Sequence, residues 1–467
     1  MQIFHLDFNF VQRSNDVVKQ LIQDAASLGC DTILWEMEDL VRWETCPECV
    51  QADSWSKEEF REVLAYAKSL GLESIPLLQT IGHGEYVMKN EKYHSFREDP
   101  THSDCYCVSN PEVRAFLKRW IHEFLELFGE LKYFHLGGDE AWWFGSCPKC
   151  SQRQRGELYA EHIFDLAEEI LQRGIRPGIW ADMVLHEKMM GVIPKEFVLW
   201  NWNYSVKEAG PFTEAETLLD AGYEVIVCSS VKSVMDNAFT PNVFFHFPNV
   251  FGLSTLCGKK GVLGHCITSW SCRQNLIRLS YPMLEIPRLL RELPRVTLDD
   301  AKKILGKKYF GFEDAIEAIG KISDTDMCLK YYTGIQWNGL KDSVIPPKDL
   351  LKGLIAKWDK DGAEIRTKLT EIIARQDANL QEGLAMLEPY LEEYPLAREW
   401  QKTALLQQKW YKLLEEAALR PAPEFIPRFN DIKEEIKEYL AQEETPASAE
   451  KNAELLVKPL RDYCLIH

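Results

Sequence analysis

The chain has 467 residues, 46% of them hydrophobic, enough for a large buried core in two or three domains. Its formal charge of -18 excludes a nucleic-acid backbone as a natural partner. No apolar run is long enough to span a membrane, and Met1 is followed almost at once by a strand-like segment rather than a secretory leader, so the expected compartment is the cytoplasm.

In chain order, short apolar runs alternate with longer amphipathic ones. Strands are expected at Ile3–Leu6, Thr32–Trp35, Glu73–Leu78, Tyr133–Leu136, Arg176–Trp180, Phe197–Trp200, Glu224–Cys228 and Val262–Thr268. Helices are expected between them at Val17–Leu28, Lys57–Leu70, Pro111–Phe128 and Leu158–Gln172. Gly29, Gly71 and Gly129 stop the first three. Ser56 and Asn110 are N-caps, and Pro111 sits in a first turn where its missing N–H costs nothing. Eight strands alternating with helices predict a (β/α)8 TIM barrel over 1–290; an open doubly wound sheet would want a glycine-rich loop after the first strand, and none is there.

Residues 291–467 read as a mainly helical C-terminal region. Helical spacing covers Ile365–Ala378, Leu380–Leu391, Ala397–Ala418 and Phe429–Leu440, with Ala441–Glu450 expected as a linker. This region is expected to pack on the barrel or to mediate a homodimer.

Barrel enzymes place their active groups at the C-terminal strand ends. Those ends carry Asp7, Glu36 and Glu38, His83, Asp139 and Glu140, Trp180 and Asp182, Trp202 and Tyr204, and Trp270. The densest run is Tyr133-Phe134-His135-Leu136-Gly137-Gly138-Asp139-Glu140-Ala141-Trp142-Trp143. Two glycines permit a sharp turn and a close ligand, and adjacent acids beside tryptophans suit proton transfer to a sugar oxygen. The same run also reads as a solvated helix start capped by Asp139.

His135-Leu136-Gly137-Gly138-Asp139-Glu140 resembles the His-x-Gly-x-Asp-Glu signature of family 20 glycoside hydrolases, the β-N-acetylhexosaminidases. Gln79-Thr80-Ile81-Gly82-His83, Trp180-Ala181-Asp182-Met183 and Gly264 through Trp270 resemble the segments after strands three, five and eight. The similarity covers most of 1–290 and is nearer the compact hexosaminidase D-like branch than enzymes with an added N-terminal domain. The resemblance implies an exo-acting enzyme that removes terminal β-linked N-acetylglucosamine or N-acetylgalactosamine with retention. Its partner would be an N-acetylhexosamine-terminated glycan, and its chemistry would need no cofactor. Glu140 would be the acid and then the base, the substrate's acetamido oxygen the nucleophile, and Asp139 the group that holds the acetamido N–H. Proximity of the two acids is expected to raise the pKa of Glu140. Trp180, Trp202 and Trp270 would stack on the sugar, Tyr204 would bind the acetamido oxygen, and His83 a hydroxyl or the acids.

Two departures stand out. The better-known branches have an arginine at the end of strand one, whereas none follows Asp7 until Arg13; they also have Trp-x-Glu on strand eight, where this chain has Trp270-Ser271-Cys272. Glu38, Asp39 or Asp7 would have to compensate. The alternative reading is a non-catalytic sugar-binding protein on a degenerate barrel.

Thirteen cysteines, an odd count, argue against a closed disulfide framework. Cys46-Pro47-Glu48-Cys49 and Cys147-Pro148-Lys149-Cys150 lie in the loops expected after strands two and four, and together suit a structural four-cysteine zinc site. Reduced thiols or a reversible disulfide are the plainer readings. Cys105, Cys107 and His102 offer substitute ligands.

Overall fold

The computed structural model describes residues 1–324, 367 and 370–466, except 10, 206, 234, 272–274, 420 and 421. Cys272 of the strand-eight motif, Pro421 and part of the expected helix Ile365–Ala378 lie outside the described residues.

Eight parallel strands close into a barrel in sequence order. They are β1 (Gln2–Asp7), β2 (Thr32–Glu36), β3 (Glu73–Leu77), β4 (Tyr133–His135), β5 (Arg176–Trp180), β6 (Val198–Trp202), β7 (Glu224–Lys232) and β8 (Val262–Ser269). Principal helices between them are α1 (Asn15–Ser27), α2 (Lys57–Ser69), α3 (Pro111–Phe128), α4 (Arg155–Gln172), the short α5 (Asp182–His186), α6 (Thr213–Asp220) and α7 (Val243–Ser254). Every residue of β1 and β2 is buried, as expected where helices cover a parallel sheet.

The caps fall where the residue types place them. Ser56 and Glu59 form a capping box at α2, and the Asn110 side chain accepts from Glu112 N ahead of Pro111 at α3. Along α3, Phe116, Leu117, Trp120 and Phe124 are buried, each stabilising the fold by about 1.5–3 kcal/mol. Trp43, in the loop after β2, stacks on Phe124 with ring centres 4.3 Å apart and donates to Glu38 O at 2.6 Å. That loop is therefore fastened to α3.

Register fixes the level of the barrel mouth. Asp7 pairs with Glu36, Glu36 with Leu77, Leu77 with His135, and His135 with Gly178. The segments that follow these residues therefore open at one end.

By contacts the described chain divides into two units, and not by a single cut at 290. One comprises Met1–Ser230 and Phe251–Thr268; the other comprises Val231–Val250 and the described residues from Ser269 on. The segment from Val231 joins the second unit through side-chain bonds that sequence spacing does not reveal. Asn237 Nδ2 donates to Ser323 O (3.0 Å), Thr240 Oγ1 to Gln407 Oε1 (2.9 Å), and Tyr439 OH to Phe239 O (3.2 Å).

The second unit is helical, with α8 (Leu298–Phe310), α9 (Ala315–Ser323), α10 (Pro395–Leu419), α11 (Ile426–Leu440) and α12 (Pro446–Ile466). The expected linker Ala441–Glu450 is thus partly helix: only the turn before Pro446 connects α11 to α12. Glu444 Oε2 accepts from Ser448 Oγ and Asn452 Nδ2, both at 2.8 Å, which ties the polar composition of this stretch into a buried helix start. Among the described residues no helix is long and apolar enough to cross a membrane.

Candidate active site

The end of β4 is shaped by two glycines. Gly137 (φ 64°) and Gly138 (φ 90°) take left-handed backbone, and a Cβ there would meet Gln79 Oε1 at 2.1 Å or Tyr159 OH at 2.5 Å. His135 is neutral, its pKa pushed far down by burial and by the nearby His5, and its Nδ1 accepts from Gly137 N at 2.9 Å. It therefore fixes the turn. Gly82 serves the facing loop in the same way: a Cβ would sit 2.4 Å from Asp139 O.

The turn delivers two acids into unlike settings. The Asp139 side chain is 7% exposed and that of Glu140 45%. Asp139 Oδ1 is buried without a hydrogen-bond partner among the described residues. Glu140 itself holds a positive φ of 45°, a costly backbone for a residue with a Cβ. Its N–H donates to Asp182 Oδ2 at 2.9 Å, which holds the turn from the loop after β5.

His83, also at positive φ (54°), faces both acids. Its Nε2 is 3.4 Å from Asp139 Oδ2 and 3.6 Å from Glu140 Oε2. Burial opposes its charge, but the Asp139 carboxylate outweighs that and holds the His83 pKa well above the usual imidazole value. The Asp182 carboxyl is also perturbed, pushed to about 7 by burial and then by Asp139. Asp182 is one of the acids expected at the strand ends; its distance from Asp139 along the chain hides their coupling.

The remaining expected site residues are placed as follows. Trp180 is 0% exposed, its ring 4.4 Å from His135 and 6.0 Å from Trp200, so it has no open face on which a sugar could stack. Trp202 and Tyr204 are half-buried with rings 5.5 Å apart, and Tyr204 OH accepts from Thr268 Oγ1 at 3.1 Å. Trp270 lies in the second unit, half-buried, its N–H donating to Lys232 O at 3.1 Å. Asp7 and Glu38 are buried and joined through Asn9, whose N–H donates to Asp7 Oδ1 (2.7 Å) and whose Nδ2 donates to Glu38 Oε1 (2.9 Å). Those bonds show both acids holding the loops after β1 and β2. Arg13, set aside in the sequence, is buried in the loop after β1 with its guanidinium 5.6 Å from the Phe8 ring centre. Glu36 belongs to the same interior: it takes hydrogen bonds from His5 (3.0 Å) and Gln79 (3.0 Å), which outweigh burial and lower its pKa.

The four motif cysteines do not form one site. Cys46 and Cys49 are bonded to each other as a disulfide, because the turn that closes on Cys49 N→Cys46 O (3.1 Å) brings both sulfurs together. Cys147 and Cys150 instead lie beside Cys107 and Glu98.

Residues 22–252 match the description "Glycosyl hydrolase family 20, catalytic domain". The barrel belongs to glycosyl hydrolase family 20. This is a family of glycoside hydrolases, and its match runs from the second half of α1 through most of α7. Hexosaminidase D of Bos taurus is 26% identical over 245 residues, which are 49% of this chain and 71% of the relative. Hexosaminidase D of Homo sapiens is 28% identical over 220 residues, 43% of this chain and 45% of the relative. A solved β-N-acetylhexosaminidase of this family from Streptomyces coelicolor A3(2) shares the fold at a TM-score of 0.51 and 15% identity, covering 70% of each chain. Within the family 20 match lie β4, its acid pair, His83 and Asp182.

Proposed function

We propose that this chain is an exo-β-N-acetylhexosaminidase that removes terminal β-linked N-acetylglucosamine or N-acetylgalactosamine from a glycan with retention, using the substrate's own acetamido group. The observation that carries the reading is the split between the two adjacent acids. Asp139 is buried and has an acceptor, Oδ1, without a partner among the described residues, while Glu140 is half-exposed. A buried carboxylate suits an acetamido N–H, and an accessible one suits a proton moved between a leaving oxygen and water.

Glu140 gives its proton to the glycosidic oxygen as the C1–O bond breaks. The acetamido carbonyl oxygen forms the new bond to C1, and the positive charge spreads over the oxazolinium ring. Asp139, ionised, holds the N–H and stabilises that charge. Glu140 then takes a proton from water as the water oxygen bonds C1 and the ring reopens. No cofactor enters these steps. A conventional acid–nucleophile pair fits less well, because two carboxyls on one turn do not face each other across a sugar.

Asp182 supports the division. With its carboxyl raised to about 7 by burial and by Asp139, it is protonated on the acid side of neutral and there adds no second negative charge to the turn. His83 supplies a positive partner to both acids. Tyr204 is assigned to the acetamido oxygen and Trp202 to the apolar face of the ring.

The test compares turnover of aryl β-N-acetylglucosaminide, β-N-acetylgalactosaminide and unacetylated β-glucoside. Turnover confined to the two acetamido sugars is expected, with severe loss in Glu140→Gln and Asp139→Asn. Equal cleavage of the glucoside would overturn substrate assistance, and binding without turnover in wild type would favour a sugar-binding protein.

A further inference from the structure

A second cluster lies in the same two loops that carry His83 and the acid pair, and the reaction makes no use of it. Glu98 and Cys107 come from the β3–α3 connection, Cys147 and Cys150 from the β4–α4 connection. One ligand atom from each lies within 4.8 Å of all the others. Cys107 Sγ is 3.8 Å from Cys147 Sγ and 3.9 Å from Cys150 Sγ, and Cys150 Sγ is 3.5 Å from Glu98 Oε2.

The three shortest of these separations match the edges of a tetrahedron around a metal ion, and the whole group lies within 4.8 Å. With Zn–S of about 2.3 Å and Zn–O of about 2.1 Å, a tetrahedral ion has S–S edges of about 3.8 Å and S–O edges of about 3.6 Å. Unbonded thiols have no need to gather as a group of three around a carboxylate. One backbone N–H already points at the cluster: Cys150 N donates to Cys147 Sγ at 3.3 Å, while the Cys150 thiol donates to Ser109 Oγ at 3.0 Å. Glu98 is held by its other oxygen, which accepts from Cys147 N at 2.9 Å.

We propose that Glu98, Cys107, Cys147 and Cys150 bind one structural zinc ion that ties the β3 loop to the β4 loop. Three thiolates and a carboxylate favour zinc over a hard oxygen-seeking cation. Four protein donors close the coordination shell, so the ion has no position for substrate. Binding converts three thiols to thiolates and releases three protons to solvent for each ion taken up. The clamp acts close to the acids: His102, between Glu98 and Cys107, stacks on Trp143 with ring centres 3.7 Å apart, and Trp143 follows Glu140 in the same loop.

The full chain, purified in reductant and refilled with zinc, is expected to hold one tightly bound zinc ion. Cobalt in its place should give the visible bands of a tetrahedral site and a charge-transfer intensity of three thiolates. Cys107→Ser is expected to weaken metal affinity by at least about 100-fold and to lower that intensity by about one-third. The double variant Cys46→Ser/Cys49→Ser is expected to leave both unchanged. If Cys107→Ser does not fold, the thiolate count in wild type and the effect of Glu98→Gln on affinity decide the matter. A wild-type chain that stays metal-free after refilling, a Cys107–Cys147 disulfide, or metal lost in the Cys46/Cys49 variant and kept in Cys107→Ser would each overturn the proposal.

Discussion

The loops that leave β2 and β4 are built from the same parts. Each has acids at or just past the strand end (Glu36, Glu38 and Asp39; Asp139 and Glu140), one at a positive φ (Glu38, 42°; Glu140, 45°), and each then carries a Cys-Pro-x-Cys turn. Their outcomes differ because their partners differ. After β2, Glu36 bonds to His5 and Gln79, Glu38 to Asn9, and the two cysteines to each other. After β4, Glu140 stays half-exposed, Asp139 keeps an acceptor without a partner among the described residues, and the cysteines converge on groups from another loop. Residue type sets what a loop could do; the presence or absence of an internal partner decides what it does.

The largest effect is expected from exchanging the same atom in the two loops. Glu140→Gln should lower kcat/KM by roughly 10²–10⁴-fold, while Glu38→Gln should change it less than about tenfold. Matching losses would erase the distinction. Next, Asp139→Asn should cost about 10²–10³-fold, read in kcat more than in KM, since its bond strengthens as the ring gains charge.

Glu38→Gln should act on stability instead, lowering it by about 1–3 kcal/mol in urea melts, because a buried charged acceptor loses its fit to Asn9. Asp182 gives a pH signature. Folded, its carboxyl titrates near 7; unfolded, near 3.8. Between those values the folded chain holds the extra proton, so this group stabilises less as pH rises from about 4 to about 7. Asp182→Asn should flatten that part of the stability profile; an unchanged slope would remove the raised carboxyl from the account. The smallest effect belongs to Cys46→Ser/Cys49→Ser, which opens a very short loop and should cost at most about 2 kcal/mol in thermal unfolding.

The barrel was legible because each strand is a short apolar run and each helix has its cap or glycine stop, as at Ser56 and Gly129. The sharp turn that presents Asp139 and Glu140 was legible because Gly137 and Gly138 are adjacent to them in sequence. The bonds from Glu140 N to Asp182 and from Cys150 to Glu98 were not, since each joins two different strands' loops. Trp180 misled for the opposite reason: the motif that names it says nothing of Trp200 and His135, which enclose its ring. Cys46 and Cys49 misled because a Cys-Pro-x-Cys turn serves a metal and a disulfide equally well.

If Asp139 and Glu140 divide the work around a nucleophile supplied by the substrate, weakening that nucleophile alone must slow the reaction. The measurement is kcat/KM for aryl β-glucosaminides whose N-acetyl group carries none, one, two or three fluorines. A steep fall with each fluorine is expected, because the carbonyl oxygen that must bond C1 becomes poorer in electrons. A flat series would contradict it and return the nucleophile to the protein.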